Sequence, residues 1–380
     1  MKKFLIFTAI IAITICALAF PERRGSCLEA RAKSAYLMDY DSGTVVYALN
    51  EKKRLPIASM TKMMLLNLVF EKVEEGELSL DEKVTVSKTA SGMGGSQVFL
   101  QADKEYSASD LVKSVIVASA NDASVALAER LYGSETSCVE VMNKKAAEWG
   151  LDDTLFSNCT GLTKPTQYSC ARDVAYMLRR LSSHEKYFEY SKIWLDELTH
   201  PDGQKTTLTN TNKLSRFYNG CDGGKTGYTS EAGFCLAATA KRGTMRVIGV
   251  CIGAEDSKKR FADVSEMFDY AFDNYEQKTI LDKDDQPQES VQVFGGKQNC
   301  VFARPSCDVN AFMKKGEKKD YTVKYELFDK VSAPVISGDV VGSVTVYENG
   351  VEYKKVDLVA AENVEKQTFT DVVTKFGKEW

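Results

Sequence analysis

The chain has 380 residues, 44% of them hydrophobic and 27% charged, which is typical of a folded protein and excludes a disordered one. That length allows two domains, each with its own hydrophobic core. The formal net charge is −4 and the sequence contains no basic block. A nucleic-acid partner, which would need a positively charged face, is therefore not expected.

The N-terminus has the features of an export signal. Lys2 and Lys3 precede an almost wholly apolar run at residues 4–18, and Ala17-Leu18-Ala19 fits a small-x-small cleavage site. The apolar run is shorter than the ~20 residues that span a bilayer, so an uncleaved membrane anchor is the weaker alternative. We expect residues 1–19 to be a secretory signal peptide and the mature protein to work outside the cytoplasm.

The next part of the chain alternates between strand and helix patterns. Residues 34–49 predict two strands around a turn at Asp41-Ser42-Gly43. Helical patterns dominate from Pro56 to about residue 190, and one begins at the capping box Ser107-Ala108-Ser109-Asp110. Strand patterns return at residues 234–242 and 245–253, followed by an amphipathic helix.

This order of strands, helices, strands and helix predicts the fold class, α/β (α+β). We expect residues 28–277 to form one antiparallel sheet, built from both ends of the domain and flanked by helices, with an inserted helical lobe.

The last hundred residues predict a second, smaller domain. A polar stretch at 278–290 is interpreted as a linker, and alternating runs with an Asn349-Gly350 hairpin turn predict a small all-β domain at 288–361. Residues 364–380 predict an amphipathic tail helix with five apolar residues on one face, namely Phe369, Val372, Val373, Phe376 and Trp380.

Cysteine and histidine usage argues against a metal site. The ten cysteines form no C-x-x-C pair, and His184 and His200 are the only imidazoles, so we expect no metal and no cofactor. Nine cysteines follow the signal, an odd number that excludes complete pairing within the mature chain. We expect mostly buried free thiols, with Cys300–Cys307 and Cys221–Cys235 as alternatives for a bridge.

A serine and a lysine one helical turn apart suggest nucleophilic catalysis. In IASMTKMMLL, Ser59 and Lys62 stand at positions i and i+3, which share one helix face. The apolar residues around Lys62 would desolvate its amine and lower its pKa, and a neutral lysine can take the serine proton. No G-x-S-x-G motif occurs and neither histidine neighbours a catalytic motif, so a Ser-His-Asp triad fits poorly.

Two further motifs make this pair specific. Ser119-Ala120-Asn121 follows about 60 residues later, and Lys225-Thr226-Gly227 about 105 residues after that. S-x-x-K, an S-x-N motif and K-T-G in this order are the signature of penicillin-binding proteins and class A β-lactamases.

With these motifs, and with FSNCTGL at 156–162 and DGGKTGYTSEAG at 222–233, the chain resembles a family. It looks like a low-molecular-weight penicillin-binding protein, a serine D-alanyl-D-alanine carboxypeptidase of peptidase family S11, with the β-lactamase/transpeptidase-like fold. The resemblance implies peptidoglycan stem peptides ending in D-Ala-D-Ala as substrates and β-lactams as inhibitors. It also implies a location in the cell-wall space, with the tail helix at the outer face of the cytoplasmic membrane. The alternative is that the apolar face of the tail packs back onto the β-domain.

The resemblance assigns a role to each motif residue. Ser59 would be the acylated nucleophile and Lys62 its base, while Ser119 would relay protons to the leaving group. Asn121 would bind the substrate amide, and Lys225 would supply positive charge.

The remaining implied residues line the cleft. Thr226 and Gly227 would form the strand against which the peptide lies, and the backbone N–H groups of Ser59 and about Tyr228 would form the oxyanion hole. Arg260 is the candidate for holding the terminal carboxylate, with Arg246 and Arg216 as alternatives.

Three other functions are weighed against the carboxypeptidase. A class A β-lactamase needs a glutamate after the S-x-N motif to activate water, and residues 150–170 contain none. A transpeptidase or endopeptidase of the same fold differs only in what attacks the acyl-enzyme or in the bond that is cut. A non-catalytic peptidoglycan-binding scaffold is the third alternative, and the intact motif residues argue against it.

Overall fold

The computed structural model describes residues 28–284 and 289–371, so the predicted signal peptide lies outside the described residues. The strands are β1 (Ser34–Asp39), β2 (Val45–Leu49), β3 (Lys83–Thr85), β4 (Glu105–Ser107), β5 (Leu195–Thr199), β6 (Lys205–Thr209), β7 (Cys221–Thr229), β8 (Gly233–Arg242), β9 (Met245–Ala254), β10 (Tyr275–Leu281), β11 (Glu289–Phe294), β12 (Cys300–Pro305), β13 (Val309–Lys314), β14 (Tyr321–Leu327), β15 (Lys330–Ser332), β16 (Val340–Glu348) and β17 (Val351–Ala360). The α-helices are α1 (Lys62–Glu74), α2 (Lys88–Ser91), α3 (Ala108–Lys113), α4 (Asn121–Tyr132), α5 (Glu135–Glu148), α6 (Ala171–Leu181), α7 (Tyr187–Ser191), α8 (Leu214–Phe217) and α9 (Ser257–Asn274).

The first domain is built on one five-stranded sheet in the order β2-β1-β9-β8-β7. Every neighbouring pair in this sheet is antiparallel. Strands from the beginning and the end of the domain meet where β1 pairs with β9, with Ala35 opposite Cys251. The prediction of an antiparallel sheet built from both ends of the domain is confirmed.

The two faces of this sheet are buried against different helices. One face carries side chains such as Tyr36, Ala237 and Val250 into a core shared with α1, α3, α4, α5 and α6, the predicted helical lobe. The opposite face carries Leu37 and Leu236 into a second core with α9. The alternation of side chains along each strand produces this division, since successive residues point to opposite sides.

The β1–β2 turn and the N-cap of α3, both predicted from the sequence, adopt the expected conformations. The Asp39 carboxylate accepts hydrogen bonds from the N–H and hydroxyl of Ser42, both at 2.7 Å, and Gly43 adopts a positive φ of 73° that closes the β1–β2 hairpin. Ser107 caps α3, because its hydroxyl accepts a hydrogen bond from Asp110 N–H at 3.0 Å.

The second domain is all-β, as predicted. Its main sheet has the strand order β14-β16-β17-β12-β11-β15, and β10 pairs with β13 in a separate ribbon. The predicted linker begins too early, because residues 278–281 belong to β10 and pair with β13. The predicted tail helix begins too early, because Val364 is buried and bridges Val335. Residues 369–371 are helical, and the tail beyond residue 371 lies outside the described residues.

The cysteines and helices of the described residues settle two further points. Both suggested disulfide pairs are wrong, since Cys300, Cys307, Cys221 and Cys235 are all free thiols. The first two are exposed and the other two are buried. Between residues 28 and 284 and between 289 and 371, no helix is both long enough and apolar enough to cross a membrane.

Candidate active site

The candidate nucleophile lies on a strained turn. Ser59 is in a 3₁₀ turn, Ala58–Thr61, that leads directly into α1. Ala58, just before it, has a left-handed φ of 47°, which L-residues other than asparagine and aspartate rarely adopt. Backbone strain of this kind persists only where the surroundings enforce it, and here the chain packs closely against the turn at two glycines. A Cβ on Gly161 would lie 2.0 Å from Ala58 O, and one on Gly227 would lie 2.5 Å from Ile57 O.

Lys62 is the first residue of α1 and is completely buried. Its amine Nζ lies within hydrogen-bond distance of three oxygens: Ser59 Oγ at 2.9 Å, Asn121 Oδ1 at 2.7 Å and the Thr160 carbonyl at 2.5 Å. Burial lowers the pKa of this amine from 10.5 to about 7, and the weaker influences of Cys159 and Asp122 oppose this shift.

The three oxygens differ in what they can do. The Asn121 amide oxygen and the Thr160 carbonyl can only accept, so each requires an N–H from Lys62. A neutral amine has two N–H groups and one lone pair, so the lone pair is left for the third neighbour, the Ser59 hydroxyl. The geometry therefore directs the basic lone pair of Lys62 at the serine proton.

The S-x-N motif brings a second serine to the site. Ser119 ends a π-helical turn, Ser114–Ala118, in a left-handed conformation with φ 63°, and α4 begins two residues later. Its Oγ accepts a 2.7 Å hydrogen bond from Lys225 Nζ, which also donates to Thr226 O at 3.1 Å. π-Helical turns and left-handed non-glycine residues are concentrated at functional sites.

Lys225 is fully buried beside another lysine. Burial lowers its pKa well below the ordinary value, and the neighbouring charges of Lys62 and Arg260 act in the same direction. Lys225 is therefore not a fixed cation as an arginine would be, which differs from the charge-supplying role that the resemblance implies. It can hold or release a proton next to Ser119.

Asn121 connects the S-x-N motif to the loop that precedes it. While its Oδ1 accepts from Lys62, its Nδ2 donates to Gly94 O at 2.7 Å, and a Cβ on Gly95 would lie only 2.8 Å from Nδ2. The neighbouring Asp122 carboxylate, also buried, accepts from the N–H groups of Val98 and Leu100, each at 3.1 Å. The loop thus fixes the orientation of the Asn121 amide.

The K-T-G strand β7 forms the edge of the sheet and passes close to the nucleophile. A Cβ on Gly227 would also lie 3.3 Å from Ser59 N, so only glycine permits this approach. Behind the strand, the buried Tyr187 hydroxyl accepts from Gly224 N–H at 2.8 Å. Tyr228, next along the strand, is 57% exposed. Strand β7 is therefore fixed by Tyr187 on its buried side and accessible to solvent at Tyr228.

Of the three arginines considered, only Arg260, from α9, contacts the K-T-G motif of this strand. Its Nη1 donates to Gly227 O at 3.2 Å, its Nε is buried without a partner, and no carboxylate within the described chain pairs with it. Arg246 is held in an ion pair with Asp222 at 2.8 Å, and Arg216 lies over the ring of Trp194. Arg260 therefore keeps its charge available for a ligand.

The histidines have structural partners away from Ser59. His184 contacts Glu74 at 2.7 Å and stacks on Phe70. The two ring nitrogens of His200 are hydrogen bonded to Tyr106 and Thr206. No group of three metal-ligating side chains was found in the part of the chain that the structure describes.

Known protein families match both domains of the chain. A sequence model of the family "Peptidase_S11: D-alanyl-D-alanine carboxypeptidase" matches residues 22–256, more than half of the chain. The chain belongs to this S11 family. The "Penicillin-binding protein 5, C-terminal domain" matches residues 275–366, so the all-β domain of this S11 peptidase is recognised as well.

Relatives of this S11 peptidase align with most or all of its length. D-alanyl-D-alanine carboxypeptidase DacF of Bacillus subtilis (strain 168) is 38% identical, over 100% of this chain and 99% of DacF. The crystal structure of penicillin binding protein 5 from Haemophilus influenzae is similar with a TM-score of 0.68 and 31% identity, covering 89% of this chain and 98% of that one. PBP3 from Streptococcus pneumoniae gives a TM-score of 0.72 at 26% identity, over 89% of this chain and 100% of that one.

The structure also places residues at the site that the sequence analysis did not single out. Thr160 supplies a carbonyl to Lys62, Gly161 packs on the nucleophile turn, and Gly94 accepts from Asn121. FSNCTGL was noted as a family-like stretch, but no role was assigned to it. Backbone carbonyls carry no residue-type signal, so Thr160 could not have been identified from its side chain.

Proposed function

We propose that the chain is an exported serine carboxypeptidase. It removes the terminal D-alanine from peptidoglycan stem peptides that end in D-Ala-D-Ala, through an acyl-enzyme on Ser59, and β-lactams acylate the same serine. The observation that carries this proposal is the buried amine of Lys62 at 2.9 Å from Ser59 Oγ, with its other two contacts made to obligate acceptors. Membership of the S11 family supports the substrate class.

In the first half of the reaction the Ser59 proton passes to Lys62 as Oγ bonds to the carbonyl carbon of the penultimate D-alanine. The backbone N–H groups of Ser59 and Tyr228 would stabilise the oxyanion, in line with the close approach of β7 to Ser59 N. The C–N bond then breaks, and the D-alanine amine leaves with the proton that Lys62 took from Ser59, passed on through Lys225 and its 2.7 Å partner Ser119, so both lysines return to their starting states.

In the second half, water attacks the ester carbonyl. The acyl–oxygen bond breaks, a hydroxyl from water completes the shortened peptide's carboxylic acid, and the remaining proton returns to Ser59 Oγ.

Arg260, unpaired beside Gly227 O, would hold the terminal carboxylate of the incoming substrate. If an amine acceptor replaced water, the same acyl-enzyme would give transpeptidation, so the released product separates the two activities.

The decisive experiment is labelling with a fluorescent penicillin, combined with an assay of D-alanine release from a D-Ala-D-Ala peptide. The mature protein should be labelled and should release D-alanine, and Ser59→Ala should do neither. Ser183→Ala, in which an exposed serine that bonds only Arg180 O is replaced, serves as the matched control and should retain both. Labelling of the Ser59→Ala protein would assign the nucleophile to another residue.

We also propose that the tail positions the enzyme at a membrane surface, facing the cell-wall space. The support is the sequence pattern of apolar residues from Phe369 to Trp380, with Phe369 itself 85% exposed. Deleting residues 372–380 spares Val364, which is buried in the β-domain. The truncated protein should lose binding to phospholipid vesicles and keep peptide hydrolysis. Equal vesicle binding by both proteins would contradict this placement.

A further inference from the structure

The loop that provides the Thr160 carbonyl is held together by two buried side-chain amides. Asn158 and Gln167 are each only 6% exposed, and we call this pair the amide clasp. Asn158 Oδ1 accepts from Gly161 N–H at 2.7 Å and from Gln167 Nε2 at 3.3 Å. Asn158 Nδ2 donates to Leu162 O at 2.8 Å. One side chain therefore fixes the backbone on the C-terminal side of Thr160.

Gln167 fixes the other side of the same loop. Its Oε1 accepts from the N–H groups of Ser157 and Asn158, at 2.9 and 3.1 Å. Together the two amides satisfy backbone groups on both sides of Thr160, and neither of them is hydrogen bonded to Ser59 or Lys62. Buried amides of this kind are costly unless they are bonded, so such a network enforces one loop conformation.

That conformation sets the surroundings of the catalytic amine. Thr160 O occupies one of the three contact positions of Lys62 Nζ, and Gly161 packs against the nucleophile turn with no room for a side chain. If the loop moved away, water would take the place of the carbonyl. The amine would then keep an acceptor but lose its dry environment, and its lone pair would no longer be restricted to Ser59.

We propose that Asn158 and Gln167 are positioning residues. They hold the Thr160 carbonyl in hydrogen-bond contact with Lys62 and so direct the lone pair of the amine at Ser59. This inference rests on the proposed function, because it assumes that Lys62 is the base. The titratable groups that face Lys62 are Cys159 from this loop, Asp122 from α4 and Lys225 from β7. The clasp adds no charge of its own, so it acts through solvent exclusion and geometry.

The test is the pH dependence of penicillin acylation, measured as a rate constant so that the folded fraction does not enter. In Asn158→Ala, admitted water should raise the midpoint of the profile by on the order of 1 pH unit, because desolvation is what lowers the pKa of Lys62. The plateau rate at high pH should fall about 10- to 100-fold, as expected for a misplaced catalytic group. An unchanged or lowered midpoint would overturn the proposal.

Asn143→Ala provides a matched control. Asn143 is also an amide that clamps this segment, since it exchanges hydrogen bonds of 2.9 and 2.8 Å with the backbone of Phe156, but it does not hold Thr160. Asn143→Ala should lose about as much stability as Asn158→Ala and keep the wild-type midpoint of the acylation pH profile. An equal midpoint shift in both variants would reduce the clasp to a general structural role and overturn the proposal.

A second variant and the acylation of the wild-type protein separate the possible outcomes. If Asn158→Ala does not fold, Gln167→Ala removes the other half of the clasp, and a wild-type midpoint in that variant would equally overturn the inference. If the wild-type protein is not acylated at all, the proposed function fails, and that result is distinct from failure of the clasp.

Discussion

The amine of Lys225 donates a 2.7 Å hydrogen bond to Ser119 Oγ across 106 residues of sequence, at a site that buries both side chains. Ser119 is itself the left-handed residue between two helical segments, and Lys225 belongs to the edge strand β7. The helical lobe and the sheet therefore meet at this contact, and the proposed proton relay depends on it.

A double-mutant cycle should detect this contact. Ser119→Ala and Lys225→Ala should each reduce the penicillin acylation rate constant by about 100-fold, as is typical for proton-transfer residues. The double variant should be hardly slower than either single variant, because each change already disables the shared relay. Fully additive losses would show that the residues act separately. The exposed ion pair Lys205–Glu197, at 2.8 Å, is a control pair whose removal should leave acylation unchanged.

Lys62→Arg should be nearly inactive although it keeps the positive charge. An arginine cannot be deprotonated in a protein, so it cannot take the Ser59 proton. The expected loss in acylation rate is about 100-fold or more. Lys52→Arg, the same change at an exposed lysine, should behave as wild type. Acylation of Lys62→Arg at more than about a tenth of the wild-type rate would remove Lys62 as the base.

Acylation of the wild-type protein should rise with pH through about 7. Burial lowers the pKa of Lys62 to about 7, so below that pH the amine is protonated and cannot act as a base, and above it the lone pair is free. The rate constant should therefore fall about tenfold per pH unit on the acid side and level off on the alkaline side. Stopped-flow acylation from pH 5 to 9 tests this, and a flat or falling profile would refute it.

Gly227→Ala should damage catalysis through geometry alone. The added Cβ would meet Ile57 O at 2.5 Å and Ser59 N at 3.3 Å, so either β7 or the nucleophile turn must move. We expect acylation to fall by about 100-fold and stability by about 1–3 kcal/mol from overpacking. At Gly243, in the β8–β9 turn, an added Cβ meets nothing within 4 Å, so Gly243→Ala should affect only stability, through its positive φ of 61°. Normal activity in Gly227→Ala would show that the close approach is dispensable.

Arg260→Gln should weaken recognition of the peptide terminus. Because no carboxylate within the described residues pairs with Arg260, its charge is free for a substrate carboxylate. KM should rise about tenfold or more for a peptide with a free C-terminal carboxylate, and should change little for the same peptide ending in an amide. Arg216→Gln, at an arginine that lies over Trp194, is the control and should leave both KM values unchanged. Equal effects on the two peptides would contradict a role in carboxylate binding.

Features that depend on neighbouring residues could be predicted from the sequence by itself. Ser59 and Lys62 are separated by one helical turn. Their contact is therefore local, and either a 3₁₀ turn or an α-helix brings the two side chains together. The β1–β2 turn, the Ser107 cap and the Asn349-Gly350 turn between β16 and β17 are equally local. The alternation of strands and helices was sufficient to predict the antiparallel sheet and the second all-β domain.

What depends on residues far apart in sequence was decided only by the tertiary structure. Residues 278–281 have a polar pattern typical of a linker, but pairing with β13 makes them a strand. Thr160 reaches Lys62 through a backbone carbonyl, which any residue could supply, so its side chain gave no sign of the contact. The depressed pKa of Lys62, the choice of Arg260 over Arg246 and the free state of the cysteines follow from burial and partners that the fold brings together. Motifs specify chemical groups, whereas packing fixes their distances and excludes the water that would otherwise keep the pKa of both lysines near its ordinary value.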